Sequence, residues 1–152
     1  MRLALYQPDI PQNTGTILRL AACLGVAVDI IGPAGFDMTN RSLRRSGLDY
    51  LDHVEIVRHE SFETFLHIIR ADARRLILLT SKSEISYAGF TFQHGDTLLL
   101  GRESAGAPDH VHAAALHRLK IPMQPGLRSL NIAVAAAMVL GEALRQTGQF
   151  KV

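Results

Sequence analysis

The sequence predicts a single-domain α/β fold built on a mostly parallel sheet flanked by helices. The chain has 152 residues, which is enough for one domain with a core of its own. Short apolar runs alternate along it with segments of helical periodicity, as in α/β proteins. The runs are continuously apolar, which is typical of parallel strands covered on both faces. Because no linker, repeat or low-complexity tract interrupts the pattern, residues 1–152 are expected to form one domain.

Six strands are predicted from the aliphatic runs. They cover residues 2–6, 26–31, 54–57, 76–80, 97–100 and 118–121. Five helices are predicted from apolar residues that recur every three or four positions, and they cover residues 14–24, 40–46, 62–70, 108–115 and 130–147. Asn13 and Ser129 are expected to cap the first and last helix, which Gly25 and Gly148 should end.

The last predicted helix is apolar around its whole circumference over residues 132–140. Such a helix must be covered on all sides. One interpretation is a central core helix. The favoured one is a homodimer, in which one side of the helix packs on the sheet and the other on a second subunit. Ala133, Ala136 and Ala137 would then permit the close approach.

Charge and composition restrict the function classes. The formal net charge is only +2, too small to bind nucleic acid by bulk electrostatics, so any basic contacts must be grouped locally or pooled by two copies. The single cysteine, Cys23, has apolar flanks and is expected to be buried. No apolar run is long enough to span a membrane, and the N-terminal segment leaves no room for a signal peptide. We therefore expect a cytoplasmic protein without a membrane partner.

The familiar nucleotide-binding motifs are absent. No Gly-x-Gly-x-x-Gly follows the first strand, and residues 101–106 have the glycine spacing of a P-loop without its lysine. Instead, loops at residues 80–83, 101–108 and 122–129 each follow a predicted strand. Ligands of open α/β sheets bind outside the carboxyl ends of the strands, so these loops could line one pocket.

Several polar side chains are candidates for chemistry. Glu103 lies between two glycines in a tight loop, where a carboxylate is often placed for hydrogen bonding. Arg19 lies among apolar residues of the first helix, so it either extends to solvent or points toward a phosphate or hydroxyl group. Arg41, Arg44 and Arg45 have the spacing of one basic helix face suited to phosphate contact, and Lys82 is a further candidate for contact with a phosphate backbone.

The histidines do not form a convincing metal site. His110, His112 and His117 lack a cysteine or a paired carboxylate at the spacing of a zinc site. A Gly-x-Ser-x-Gly elbow, which would indicate acyl-transfer hydrolysis, is also absent from the sequence. We therefore expect neither a metal nor hydrolase chemistry.

Taken in order, three segments resemble the three motifs of the SpoU/TrmH branch of SPOUT methyltransferases. Residues 13–19 (Asn-Thr-Gly-Thr-Ile-Leu-Arg) resemble the first motif and residues 100–106 (Leu-Gly-Arg-Glu-Ser-Ala-Gly) the second. Residues 121–123 (Ile-Pro-Met) with residues 128–131 (Arg-Ser-Leu-Asn) resemble the third. The resemblance covers essentially the whole chain. It implies a C-terminal trefoil knot, a homodimer and S-adenosylmethionine as cofactor.

The resemblance also implies roles for individual residues. Its three conserved catalytic positions fall on Arg19, Glu103 and Asn131. The implied cofactor-binding positions are Leu79, Gly101, Ile121 and Ser129, with Met123 and Leu130 nearby. The chain departs from its relatives at Ala105, where many carry arginine, and at Ala133 and Val134, where serine and asparagine are common.

The implied activity is transfer of a methyl group to the ribose 2′-hydroxyl of the tRNA wobble nucleotide. The chain resembles the minimal members of the family, which act on cytidine 34 or a modified uridine, and a leucine tRNA is the expected substrate. Three alternatives stay open: a methyltransferase for another RNA such as rRNA, a non-catalytic RNA-binding homologue, and a generic α/β enzyme for small molecules.

Overall fold

The computed structural model describes residues 1–45 and 49–150, and its six described strands form one sheet. The strands are β1 (Arg2–Tyr6), β2 (Ala27–Ile31), β3 (Ile56–His59), β4 (Leu76–Leu79), β5 (Thr97–Leu100) and β6 (His117–Leu119). Their order across the sheet is β3-β2-β1-β5-β4-β6, and every pair of neighbours is parallel. The predicted α/β class with a mostly parallel sheet is confirmed, whereas the trefoil knot and the extent of the domain stay predictions.

Helices cover both faces of this sheet. They are α1 (Pro11–Leu24), α2 (Asn40–Arg45), α3 (Phe62–Ala71), α4 (Asp109–Ala114) and α5 (Ile132–Thr147), with short 3-10 turns at Leu51–His53 and Tyr87–Gly89. Leu3 and Leu5 of β1 point to the face that α1 and α5 cover. Ala4 and Tyr6 point to the face that α3 and α4 cover. The continuous apolar runs in the sequence therefore reflect two cores, one on each side of the sheet.

The ends of the first and last helices differ from the predicted ones. α1 begins at Pro11, because proline is well suited to the first turn of a helix, and Asn13 is therefore inside the helix instead of capping it. α5 begins at Ile132 with Asn131 as its cap, two positions after the predicted cap Ser129. Gly25 and Gly148 end the two helices as predicted, both in the left-handed region with φ of 65°.

The other displaced boundaries differ from the predicted ones by one or two residues. β3 is displaced by two residues, because the turn Leu51–His53 occupies the chain before it and residues 56–59 pair with β2. β2, β4 and β6 are each shorter than predicted, α3 is one residue longer, and α4 loses one residue at each end. The predicted end of α2 at Ser46 lies outside the described residues.

Two burial predictions were wrong. Cys23 is exposed, because α1 turns its buried positions, which end at Ala21, toward the sheet. Ala133 and Ala136 of α5 pack inward and do not form an outer contact surface. The outer side of α5 instead exposes Val134, Ala137 and Met138. No helix in the described ranges is long and apolar enough to cross a membrane.

Ion pairs close the edge at which the strands begin. Arg2 binds Asp29 at 2.7 Å and Glu55 at 3.1 Å, and Arg75 binds the fully buried Asp96 at 2.7 Å. They surround a cavity of about 670 Å³ that the residues before β1 to β5 line. Because both guanidinium groups already have carboxylate partners, this cavity offers little to an anionic ligand.

Replacing the buried carboxylate of this edge should destabilise the fold. Asp96→Ala removes the carboxylate partner of the Arg75 guanidinium, which keeps only the Thr91 carbonyl, and the acceptor of the backbone N–H of Gln93. We expect the free energy of unfolding to fall by about 2–4 kcal/mol, since one partner of a buried ion pair is removed. Urea denaturation measures this change. Glu84→Ala is the control, because Glu84 pairs with Lys120 in solvent and should cost less than about 1 kcal/mol. Equal losses for both variants would contradict the assignment.

Candidate active site

A cavity of about 600 Å³ lies at the opposite edge of the sheet, where the strands end. The loops that follow β4, β5 and β6 meet there, together with the first turns of α1 and α5. These are the three loops that the sequence placed after strands. Its size is in the range of sites that bind a cofactor or another small ligand.

The structure brings nine of the thirteen predicted site residues together around this cavity. The implied cofactor-binding residues that line it are Leu79, Gly101, Ile121, Met123, Ser129 and Leu130. Glu103, Asn131 and Lys82 line it as well. Arg19 does not, and neither does any residue of α2. Whether each residue binds as implied stays a prediction, but their arrangement in one place follows from the parallel sheet.

The loop after β5 is closed so tightly that it requires glycine. A Cβ atom on Gly101 would lie 2.6 Å from the carbonyl carbon of Gly106 and 2.7 Å from the nitrogen of Ala107, which are backbone atoms that cannot move aside. Backbone hydrogen bonds of 3.0 Å and 2.8 Å join Arg102 and Gly106 in both directions. The loop therefore presents its backbone to the cavity at close range.

A carboxyl pair stands at the rim of the cavity. The backbone N–H of Asp9 donates to Oε2 of Glu103 at 3.1 Å, and the Ser104 hydroxyl donates to Oδ2 of Asp9. Arg102 Nη2 approaches the same oxygen at 3.5 Å. This cluster attaches the loop after β5 to the segment that precedes α1.

The two carboxyl groups of the pair differ in acidity. Burial raises the pKa of Glu103, and its hydrogen bond with the carboxyl group of Asp9 raises that pKa further. The hydrogen bond with the Glu103 side chain, helped by those with Ser104, lowers the pKa of Asp9. Glu103 is therefore the more basic of the two carboxylates and, when ionised, the better proton acceptor of the pair.

Asn131 connects the last helix to the first. Its Oδ1 accepts the backbone N–H groups of Ala133 at 2.8 Å and Val134 at 3.4 Å, which caps α5. Its Nδ2 donates to Oδ1 of Asn13 on α1 at 2.9 Å. The carboxamide is thus engaged at both ends, and the side chain acts first as a support for the cavity wall.

The basic residues predicted from the sequence lie apart. Arg19 is exposed on α1, with Cζ 4.7 Å from the centroid of the Tyr50 ring. Arg41 and Arg45 are exposed on α2, while Arg44 pairs with Asp52 at 2.9 Å. Lys82 is exposed at the rim of the cavity.

Two polar residues, Asn13 and His112, line the cavity from outside its three loops and were not predicted as site residues. Asn13 belongs to the first motif but was expected to cap a helix, and His112 was considered only as a metal ligand. Burial, with the nearby positive charges of Lys82 and Arg118, lowers the pKa of His112, so its imidazole is neutral at pH 7. The position of His112 on the helix that follows the loop after β5 was the available signal. Within the described ranges no group of three His, Cys, Asp or Glu residues could hold a metal ion.

The cavity suits a ligand that is part apolar and part polar. Leu79, Leu100, Leu119, Ile121 and Ile132 supply aliphatic surface for a planar ring. Backbone groups of the three loops supply hydrogen bonds, as a nucleoside requires. The donor set therefore fits S-adenosylmethionine, which combines an adenosine group with a charged amino acid.

Comparison with known proteins gives one consistent result. The profile of the SpoU rRNA methylase family matches residues 1–141. A tRNA (cytidine(34)-2′-O)-methyltransferase of Beijerinckia indica is 60% identical over 146 residues, which are 96% of this chain and 91% of that protein.

Two solved structures agree with the sequence relatives. One, which concerns 2-OH methylation of C/U34 on tRNA, has a TM-score of 0.89 and 43% identity, and the match covers 95% of this chain and 94% of that one. The other is the SpoU methyltransferase AviRb from Streptomyces viridochromogenes in complex with AdoMet, with a TM-score of 0.87, 28% identity, and coverage of 96% and 60%. The chain belongs to the SpoU methylase family.

Proposed function

We propose that this protein is a tRNA (cytidine(34)-2′-O)-methyltransferase that uses S-adenosylmethionine. The observation that carries the proposal is the single cavity at the ends of β4, β5 and β6, where the three family motifs meet. Two relatives that match this chain over nearly their full length bear that name, at 60% and 52% identity. Since the substrate is a tRNA, the cytoplasm is the compartment we propose for it.

We propose that the six cavity residues named above hold the cofactor. The bent loop at Gly101 would supply backbone contacts, and the aliphatic side chains of Leu79 and Ile121 would pack against the adenosine group. The polar groups of Ser129 lie at the exposed side of the cavity. When bound, the cofactor would supply an electrophilic methyl group, and its sulfur would leave as a neutral thioether.

The remaining chemistry falls to Arg19 and Glu103. The ribose 2′-oxygen gains the methyl group and loses its proton, so the site must accept a proton and stabilise the developing negative charge. The carboxylate of Glu103 is the proposed acceptor, because its raised pKa favours taking up a proton. Arg19 stays protonated and is the proposed stabiliser of the oxygen or of the adjacent phosphate. Asn131 supports the site through α5.

We infer that two copies of the chain form the working enzyme. Ile10, Leu130, Val134 and Met138 expose between 39% and 48% of their surface on one side of the molecule. Ile10 and Leu130 also line the cavity, so a second copy seated on these residues would lie over its opening. Arg19 lies outside the cavity of its own chain, and we propose that it completes the site of the partner.

The basic side chains of α2 are proposed to bind the tRNA backbone. Arg41 and Arg45 are exposed, and within the described residues neither has an ion pair. Lys82 would contact the nucleotide strand at the rim of the cavity. Arg44 is the weaker candidate, because Asp52 already neutralises it. Phosphate contacts of this kind make binding strongly dependent on salt.

Methyl transfer from labelled S-adenosylmethionine to bulk tRNA, followed by mapping of the methylated nucleotide, tests the function. We expect incorporation at position 34, including that of leucine tRNA, and none into rRNA. Arg19→Ala should lower turnover by at least about 100-fold, since an interaction specific to the transition state is removed. Cofactor affinity, measured by calorimetry, should be almost unchanged. Full activity of this variant would exclude a catalytic role for Arg19, and no cofactor binding by the wild type would indicate a non-catalytic homologue.

The pH dependence of the rate tests the role of Glu103. Glu103 must be ionised to accept a proton, so the rate should rise with pH through a midpoint above the usual value of about 4.5 and then level off. Asp9→Asn removes a negative group that raises this pKa, so the midpoint should move to lower pH. Glu103→Gln should be slow, and its rate should not show this rise with pH. If the rise with pH is unchanged in Glu103→Gln, another group is responsible for it.

Mixed dimers test the shared site. The Cβ of Gly101→Ala would collide with the loop backbone and block the cavity of its own chain, while Arg19→Ala leaves the cavity intact. When the two inactive variants exchange subunits, each mixed dimer should contain one complete site. Random pairing in a two-fold dimer would then restore about one quarter of wild-type activity. No recovery in verified mixed dimers would show that Arg19 acts within its own chain.

A further inference from the structure

The ring of Tyr50 lies against the guanidinium group of Arg19. The distance from Cζ to the ring centroid is 4.7 Å, which is within the range of a cation–π interaction. Arg19 is on the exposed side of α1, and Tyr50 is half-buried at the end of the segment that joins α2 to the turn Leu51–His53. The contact therefore connects α1 with the segment that leads into the turn Leu51–His53.

The backbone around Tyr50 fixes the place of its ring. The Tyr50 carbonyl accepts the N–H of His53 at 3.0 Å, which closes the 3-10 turn. The next residue, Leu51, is buried in the same core cluster as Ile17 and Leu18 of α1. Because Leu51 anchors the turn on the helix, the ring of Tyr50 is held at a constant position relative to Arg19.

The interaction leaves the hydrogen-bonding capacity of Arg19 unused. Within residues 1–45 and 49–150, the side chain of Arg19 has no hydrogen bond or ion pair. Asp52, which follows Tyr50 by two residues, is bound to Arg44 at 2.9 Å. An aromatic face attracts the plane of a guanidinium group, whereas its five N–H donors point outward along the edge of that plane. A carboxylate in the place of the ring would occupy those donors and neutralise the charge.

We propose that Tyr50 is a positioning residue for methyl transfer, whose ring holds the guanidinium group of Arg19 ready for the ribose oxygen or phosphate of the tRNA. The proposal rests on the catalytic role assigned to Arg19. A long arginine side chain on an exposed helix face otherwise has many rotamers, and ordering it costs free energy at each turnover. The ring reduces that cost while the charge and all donors stay available. The aromatic face is required, and the phenolic hydroxyl is not.

Substitutions at Tyr50 test whether the aromatic face is required and the phenolic hydroxyl is not. Tyr50→Phe and Tyr50→Trp keep an aromatic face and should retain kcat within about twofold. Tyr50→Leu keeps apolar bulk without the face, and kcat at saturating tRNA should fall by about threefold to thirtyfold, the range of a cation–π contact. Tyr50→Met serves the same purpose if the leucine variant folds poorly. Cofactor affinity and melting temperature, measured for each variant, should match the wild type.

A double-mutant cycle separates this proposal from the function on which it rests. In the Arg19→Ala background, Tyr50→Leu should have no further effect on the residual rate, because the ring acts through Arg19. If Arg19→Ala is inactive while Tyr50→Leu has wild-type kcat, the positioning role is wrong and the function stands. A raised KM for tRNA at unchanged kcat would mean that the ring contacts RNA directly, which also overturns the proposal. Full activity of Arg19→Ala would instead refute the proposed role of Arg19 itself.

Discussion

The parallel pairing of the strands is the constraint on which the rest of the structure depends. Parallel neighbours all end at the same edge, so the loops after β4, β5 and β6 meet although about forty residues separate the first from the last. The cavity exists because of that meeting, and its closest wall is possible because Gly101 has no side chain to collide with the loop backbone. None of the three loops is a recognisable site alone, and each acquires a role only from the other two.

The second requirement is that α1 and α5 share one face of the sheet. The first and third motifs lie at opposite ends of the sequence, yet Asn13 and Asn131 share a hydrogen bond of 2.9 Å. Asn131 also caps α5, so the same side chain fixes the start of that helix and forms part of the cavity wall. A change in the packing of α5 against α1 would therefore shift Asn13 and Asn131, and with them the wall of the cavity. In the proposed dimer, a second copy that packs on the exposed outer side of α5 would produce such a change.

Much of this arrangement could be predicted from the sequence, because aliphatic runs mark buried strands and the loops after β5 and β6 contain glycine and proline. The boundaries of β1 and β5 were predicted to the residue. Local patterns were less reliable where two neighbouring signals competed: Ser129 and Asn131 can both cap a helix, and only packing selects Asn131. Cys23 looked buried from its apolar neighbours, but the helix rotation that buries Ala21 exposes it. The contact between Arg19 and Tyr50 joins segments thirty-one positions apart and has no periodicity, so no sequence pattern could indicate it.

The paired charges at the starting edge of the strands have a consequence for how a polyanion meets this molecule. At that edge Arg2 and Arg75 are neutralised by Asp29, Glu55 and Asp96. At the cavity edge Lys82 and Arg128 have no ion pair within the described residues. A net charge of +2 therefore coexists with unpaired positive side chains beside the cavity, whereas the arginines of the opposite edge are already paired. In the proposed function, this difference between the two edges would direct an approaching nucleic acid toward the cavity side of the sheet.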